Sequence, residues 1–195
     1  MTESRKFSRR HFLRHTAKLA VAGAVLPLSR QTLAALPKPA SFSLPKARSL
    51  AFEHTHTGEH LALVYAEDGQ YIPESLNTLN HFLRDHYTGA VGQIDPALFD
   101  LLFQMKQNLS CEQSFQVISG YRCPITNAKL HNSRGGGVAN HSLHMEGKAI
   151  DIRLAGLPLT DLRDTALSLR VGGVGFYPQE QFVHVDTGRV RTWHE

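Results

Sequence analysis

An aspartate stands in the middle of the most strand-like stretch of this chain. In Ala149-Ile150-Asp151-Ile152-Arg153-Leu154 the apolar residues alternate with the period of a β-strand. Ile150, Ile152 and Leu154 therefore share one face, and Ala149, Asp151 and Arg153 share the other. A carboxylate among β-branched neighbours costs several kcal/mol to desolvate unless its charge is compensated. A cation is the simplest compensation, so any fold open to this chain has to bring positive charge to Asp151.

Two neighbouring stretches offer ligands for such a cation. His144 lies upstream in Ser142-Leu143-His144-Met145-Glu146-Gly147-Lys148. Gly147 lets the chain fold back, so that the imidazole reaches the face displaying Asp151. In Gln181-Phe182-Val183-His184-Val185-Asp186-Thr187-Gly188, Val183 and Val185 point to the core while His184 and Asp186 share the opposite face. His144, Asp151 and His184 make a set of two imidazoles and one carboxylate, which suits Zn²⁺ with a fourth position open for water. A bound water of lowered pKa is the nucleophile such a site offers. Asp186, beside a ligand on the same face, is the candidate general base for it.

The rest of the chain reads as an α+β domain, with helices packed on a small, mainly antiparallel sheet. Residues 49–66 make a hairpin around Thr57-Gly58-Glu59. Pro73 opens a helix through Leu76, Leu79, Phe82 and Leu83, and Asp95-Pro96 starts a second, with Asp as N-cap and a buried face of Leu98, Leu101, Leu102 and Met105. Short strands follow at Phe115–Ser119, Ala149–Leu154, Val174–Tyr177 and Phe182–Val185, with a third helix from about Leu159 to Leu169.

The formal net charge of +4 invites a nucleic-acid reading. The basic excess sits within residues 1–35, and the remainder carries slightly more acids than bases, so there is no electrostatic footprint for DNA or RNA. Residues 1–35 read instead as an export signal. Ser8-Arg9-Arg10-His11-Phe12-Leu13-Arg14 resembles the twin-arginine motif, and it is followed by a short apolar run from Ala17 to Leu28 and by small residues at Ala34 and Ala35. That run is too short for a spanning helix, and Pro27 breaks it, so membrane contact is expected only through the signal. Residues 36–47, rich in Pro, Ala and Ser, read as a linker, and residues 48–195 as a single domain. Export places the domain in the periplasm. An oxidising compartment permits a disulfide, yet the extended stretch between Cys111 and Cys123 would hold them apart, so two separate thiols are expected.

At His144-Met145-Glu146-Gly147-Lys148-Ala149-Ile150-Asp151 with the distal His184, the chain is similar to the D-Ala-D-Ala peptidase and lysostaphin group of zinc peptidases. The wider pattern resembles the murein endopeptidase K-like members of that group, which also join a twin-arginine signal to the domain. It includes His56-Thr57-Gly58-Glu59, Leu79-Asn80-His81-Phe82, Ile118-Ser119-Gly120-Tyr121-Arg122, Ser133-Arg134-Gly135 and Gly172-Gly173-Val174-Gly175-Phe176-Tyr177-Pro178. The resemblance implies a LAS-type fold and a zinc endopeptidase acting on peptidoglycan cross-links, with a preference for bonds between two diaminopimelate residues. It also implies zinc ligation by His144, Asp151 and His184, and a place for Arg122 near the substrate carbonyl or carboxylate, where a guanidinium steadies a developing oxyanion.

Two departures keep alternatives open. Many relatives carry Glu three residues before the last His, where this chain has Gln181, and others carry His-x-His where it has His184 and Asp186. A swap of roles between His184 and Asp186 therefore stays open. So do a carboxypeptidase or dipeptidase releasing D-alanine and a non-catalytic wall-binding module. His54, His56 and His60 read as exposed or structural, His131 and His141 as solvent-exposed near the site loop. Gly135-Gly136-Gly137 reads as a loop beside the cleft without the Lys-Ser/Thr of a phosphate loop. Trp193 either stacks on substrate or closes the core.

Overall fold

The computed structural model describes residues 46–133 and 139–195. The export signal, nearly all of the linker, most of Ser133-Arg134-Gly135 and the triple glycine lie outside the described residues. Among the described residues the order is β1 (Ala47–His54), β2 (His60–Glu67), β3 (Gln70–Tyr71), α1 (Pro73–Phe82), α2 (Pro96–Leu109), β4 (Phe115–Ser119) and α3 (Pro124–Ser133), continuing with a 3₁₀ turn (Leu143–Glu146), β5 (Ala149–Leu154), α4 (Leu159–Leu169), β6 (Gly173–Tyr177), β7 (Phe182–Asp186) and β8 (Arg191–His194).

The α+β class holds, but the sheet is neither small nor simply antiparallel. It has eight strands in the order β3-β2-β1-β4-β5-β7-β6-β8. The β1–β4 and β6–β8 pairings are parallel, and the others are antiparallel. Neither parallel pairing joins strands that are consecutive in sequence. β4 can lie beside β1 in the same direction because α1 and α2 make the crossover between them. β8 reaches β6 by passing the β6–β7 hairpin.

Helices α1, α2 and α4 pack on the sheet through Leu79, Phe82, Leu98, Leu102, Met105, Leu162 and Ala166, against Leu50, Phe52, Ile150, Ile152, Val183 and Val185. Each fully buried Leu, Ile or Phe contributes about 1.5–3 kcal/mol relative to exposure. The alternation expected of β5 and β7 is thus realised, with their apolar residues spent on this core. Asp95 caps α2 by accepting from Ala97 N at 3.0 Å, with Pro96 at the first helical position. The hairpin is tied to α2 by Asp100, which accepts from Tyr65 at 2.8 Å and Tyr71 at 2.7 Å and pairs with Arg48. Cys111 and Cys123 are free thiols at opposite ends of the segment that contains β4. No helix among the described residues is long and apolar enough to cross a membrane.

Candidate metal centre

On the face of β5 and β7 away from that core, Asp151 and His184 are direct partners across the antiparallel ladder. His144 comes to them from the 3₁₀ turn. Ser142 caps this turn by accepting from His144 N at 3.4 Å, and Gly147 ends it in the left-handed region at φ 67°. The fold-back expected at Gly147 has a second requirement. A Cβ there would sit 1.9 Å from the Gln93 carbonyl oxygen, so no other residue fits.

The three side chains are almost completely buried: His144 is 3%, Asp151 6% and His184 8% exposed. Their facing atoms form a small triangle. His184 Nδ1 lies 2.9 Å from Asp151 Oδ1 and 3.2 Å from His144 Nε2, and His144 Nε2 lies 3.3 Å from Asp151 Oδ1. Among the described residues this is the only group of three or more such side chains spaced to hold a metal ion.

The tautomers follow from the atoms behind the triangle. His144 Nδ1 is 2.7 Å from the Gly120 carbonyl oxygen, which can only accept, so Nδ1 carries the hydrogen and Nε2 presents a lone pair. His184 Nε2 is 3.1 Å from Asp186 Oδ2 and donates to it, leaving the Nδ1 lone pair to face Asp151. With both rings neutral, two imidazole lone pairs and a carboxylate oxygen thus converge on one another. Such a set repels itself unless a cation or a proton fills it. A tetrahedral ion with ligand bonds of about 2.0–2.1 Å keeps its ligands about 3.3 Å apart, so the triangle matches zinc in donor chemistry and in size.

The titration behaviour has the same origin. Burial opposes charge on His184, but its hydrogen bonds to Asp151 and Asp186 outweigh this and raise its pKa to about 8. His144 is lowered, chiefly by burial. Burial pushes Asp151 upward, yet the adjacent imidazoles hold it well below the usual carboxylate range.

Asp186 is fully buried, and both its oxygens are engaged. Oδ1 accepts from Gly173 N at 2.9 Å, Gly188 N at 2.8 Å and Arg191 at 3.1 Å. Oδ2 accepts from Arg191 at 2.7 Å and from His184. These bonds outweigh burial and hold its pKa well below the usual value. The expectation of a general base at Asp186 therefore fits poorly: the carboxylate lies behind His184, on the side away from the triangle, with no lone pair turned to the ligand side.

Arg122 does approach the cluster. A β-bulge between Val117 and Ser119 sets Ser119 opposite Asp151 and turns the following Gly120-Tyr121-Arg122 over the triangle. The guanidinium lies 3.9 Å from Asp151 Oδ2 and is steadied by Ser119 Oγ at 3.4 Å and Asn127 Oδ1 at 3.5 Å. Arg122, His144 and His184 line a cleft of about 730 Å³. Tyr177, Trp193, Glu180 and Glu195 also line it. His141 lines the cleft as well and is exposed. His54, in contrast, is buried against Phe82, His56 and His86, a structural position.

Tyr177, Arg191 and the exact surroundings of Asp186 were not singled out by sequence reasoning. The only local signal for Arg191 is that it is a cation placed shortly after a strand bearing a second acid.

Comparison with known proteins gives the family. Residues 43–193 match the profile of Peptidase_M15_2, described as peptidoglycan L,D-endopeptidase MepK. The chain is 43% identical over 162 residues to the peptidoglycan L,D-endopeptidase MepK of Escherichia coli strain K12, covering 82% of this chain and 88% of that protein. It is 43% identical over 155 residues to the probable peptidoglycan L,D-endopeptidase MepK of Haemophilus influenzae, covering 79% and 83% respectively. The chain belongs to this peptidase family, Peptidase_M15_2.

Proposed function

We propose that the protein is a zinc-dependent endopeptidase that hydrolyses stem-peptide cross-links of peptidoglycan, with bonds between two diaminopimelate residues as its preferred substrate. Family membership supports the reaction class. The observation that carries the metal dependence is the triangle of facing ligand atoms at His144 Nε2, His184 Nδ1 and Asp151 Oδ1.

Zinc, when bound by these residues, supplies a Lewis acid for the scissile carbonyl and a water of lowered pKa. The chain does the rest. Gly120 and Asp186 hold the two imidazoles in the tautomers that ligation requires, so Asp186 is a positioning residue for His184. Arg122, beside the triangle and fixed by Ser119 and Asn127, offers a guanidinium to an oxygen that gains charge in the transition state. The cleft beside the triangle, about 730 Å³, is where the peptide would lie.

Peptidoglycan lies outside the cytoplasm, which agrees with reading residues 1–35 as a twin-arginine signal and with a periplasmic site of action. Replacing Arg9 and Arg10 by lysine is expected to leave the protein in the cytoplasm.

The deciding experiment is digestion of purified sacculi by the zinc-loaded protein, with muropeptides resolved by mass spectrometry and His144→Ala in parallel. Cross-linked dimers should disappear in favour of monomers with wild type alone. Unchanged dimers, despite bound zinc and binding to sacculi, would refute hydrolysis and favour a wall-binding module.

A further inference from the structure

Strand order sets the metal triangle between two different walls. β4, β5, β7 and β6 lie side by side, so the segment after β4 brings Arg122 to one flank and the end of β6 brings Tyr177 to the other. The phenol is held unusually firmly. Its ring stacks on Phe182 at 4.4 Å with 17° between planes. Its oxygen accepts from Trp193 Nε1 at 2.8 Å.

That hydrogen bond decides what the phenol can still do. An indole N–H only donates, so Tyr177 must act there as acceptor, and its own hydrogen has to point elsewhere. No acceptor for that hydrogen is found among the described residues, and the side chain lines the cleft. Burial, with Glu195, Asp151 and Glu180 adding to it, raises the phenol's pKa, so it stays protonated throughout the neutral range.

Trp193 is itself held in place. It lies against Gly175, where a Cβ would come within 2.6 Å of the indole. The Arg191 guanidinium covers the ring at 4.9 Å, and His184 stands 5.2 Å away. A hydrogen-bond donor with a fixed ring and a fixed oxygen is thus left aimed into the same cleft as the metal triangle.

We infer that Tyr177 contacts the substrate, donating its phenolic hydrogen to a carbonyl or carboxylate oxygen of the bound peptide on the β6 side of the metal centre, across the cleft from Arg122. Trp193 is its positioning residue. The inference rests on the endopeptidase reading for the identity of the peptide, and on the geometry alone for the contact. The ligand class is a peptide strand that offers an oxygen acceptor on each side of the scissile bond, which a cross-link between two diaminopimelate residues does.

Tyr177→Phe keeps the stacked ring and removes only the donor. Wild type and variant are to be compared on a purified dimeric muropeptide cross-linked between two diaminopimelates, with zinc content and melting temperature matched. The expected result is a fall of kcat/KM by about tenfold to a hundredfold, with both controls unchanged. Trp193→Phe, which frees the phenol to rotate, should show a smaller fall in the same direction. Equal kcat/KM for Tyr177→Phe and wild type would overturn the inference.

Should wild type cut no cross-link, the endopeptidase reading falls, and the tyrosine is then judged by binding. The chain has a single tryptophan, Trp193, so its fluorescence reports occupancy of the cleft. A dissociation constant for the same dimer raised about tenfold in Tyr177→Phe sustains the contact, and an unchanged constant refutes it.

Discussion

Asp186 Oδ2 lies 3.1 Å from His184 Nε2, on the same strand and behind the imidazole relative to Asp151. The pair forms one edge of a closed polar cluster completed by Arg191, Gly173 N and Gly188 N. If Asp186 positions His184, Asp186→Asn should weaken zinc binding by about tenfold to a hundredfold, the range typical of lost partners behind metal ligands. A general base would behave differently, losing turnover at unchanged metal affinity. Zinc titration of the variant by calorimetry, set beside its turnover at saturating zinc, separates the two.

Metal binding should be visible in stability before any substrate is added. Zinc at a hundredfold its dissociation constant stabilises the folded state by about 2.7 kcal/mol. For a domain of this size that raises the melting temperature by roughly 5–10 °C. His144→Ala should abolish the rise, and a chelator should reverse it in wild type. Equal responses of variant and wild type would remove His144 from the ligand set.

Gly147→Ala should be among the most damaging small substitutions in the chain. The backbone there lies at φ 67°, and an added Cβ would meet the Gln93 carbonyl oxygen at 1.9 Å. The expected loss is about 3 kcal/mol or more, since strain at the left-handed position adds to a backbone clash. Gly58→Ala is the control: its φ is 70° but nothing lies within 4 Å, so about 1 kcal/mol is expected. Urea unfolding of both variants tests the difference.

His54 makes stability depend on pH through a group outside the metal triangle. It is fully buried, its Nε2 has no partner, and His56 and His86 are its ring neighbours. Burial first, then the charges of His86 and His56, lower its pKa to about 4. The folded pKa lies below the unfolded value of about 6.5, so the neutral ring's contribution is complete above pH 6.5. It is lost as pH falls through about 4, to the extent of about 2–3 kcal/mol. Thermal melts of His54→Phe should be flatter than wild type between pH 6.5 and 4.5. An identical slope would assign the acid sensitivity elsewhere.

How much of this could be read from the chain depended on how local each signal is. The two-residue alternation through Ile150, Asp151 and Ile152, and through Val183, His184 and Val185, carries its own facing information, so the strands bearing Asp151 and His184 and the face these two residues share were legible. Helix α2 was equally plain, because Asp95 and Pro96 announce it and its leucines recur with the helical period. Helix α3 was not expected: Thr126 and Asn127 are its buried residues, so no apolar stripe marks it. Strand β8 was missed because Arg191-Thr192-Trp193-His194 is short and its value lies in partners on other strands. The same holds for Asp186, where an acid beside a ligand reads as a base until the contacts with Gly173, Gly188 and Arg191 are known. The parallel pairing of β1 with β4 depends on a crossover that no local pattern encodes, and this is why the sheet is broader and more mixed than its strands alone imply.

The register that pairs Asp151 with His184 has a consequence for which ions can compete. Both residues belong to strands flanked on each side by hydrogen-bonded neighbours, with β4 beyond β5 and β6 beyond β7. Such strands cannot draw apart without breaking the ladder, so the spacing between Asp151 and His184 is set by the fold. Calcium asks for six or more oxygens at 2.3–2.6 Å, roughly, and magnesium for an octahedral shell of oxygens. If the centre holds zinc as proposed, two imidazole nitrogens and one carboxylate oxygen would suit both of these ions poorly, and the sheet would contribute to that discrimination by fixing the spacing of Asp151 and His184.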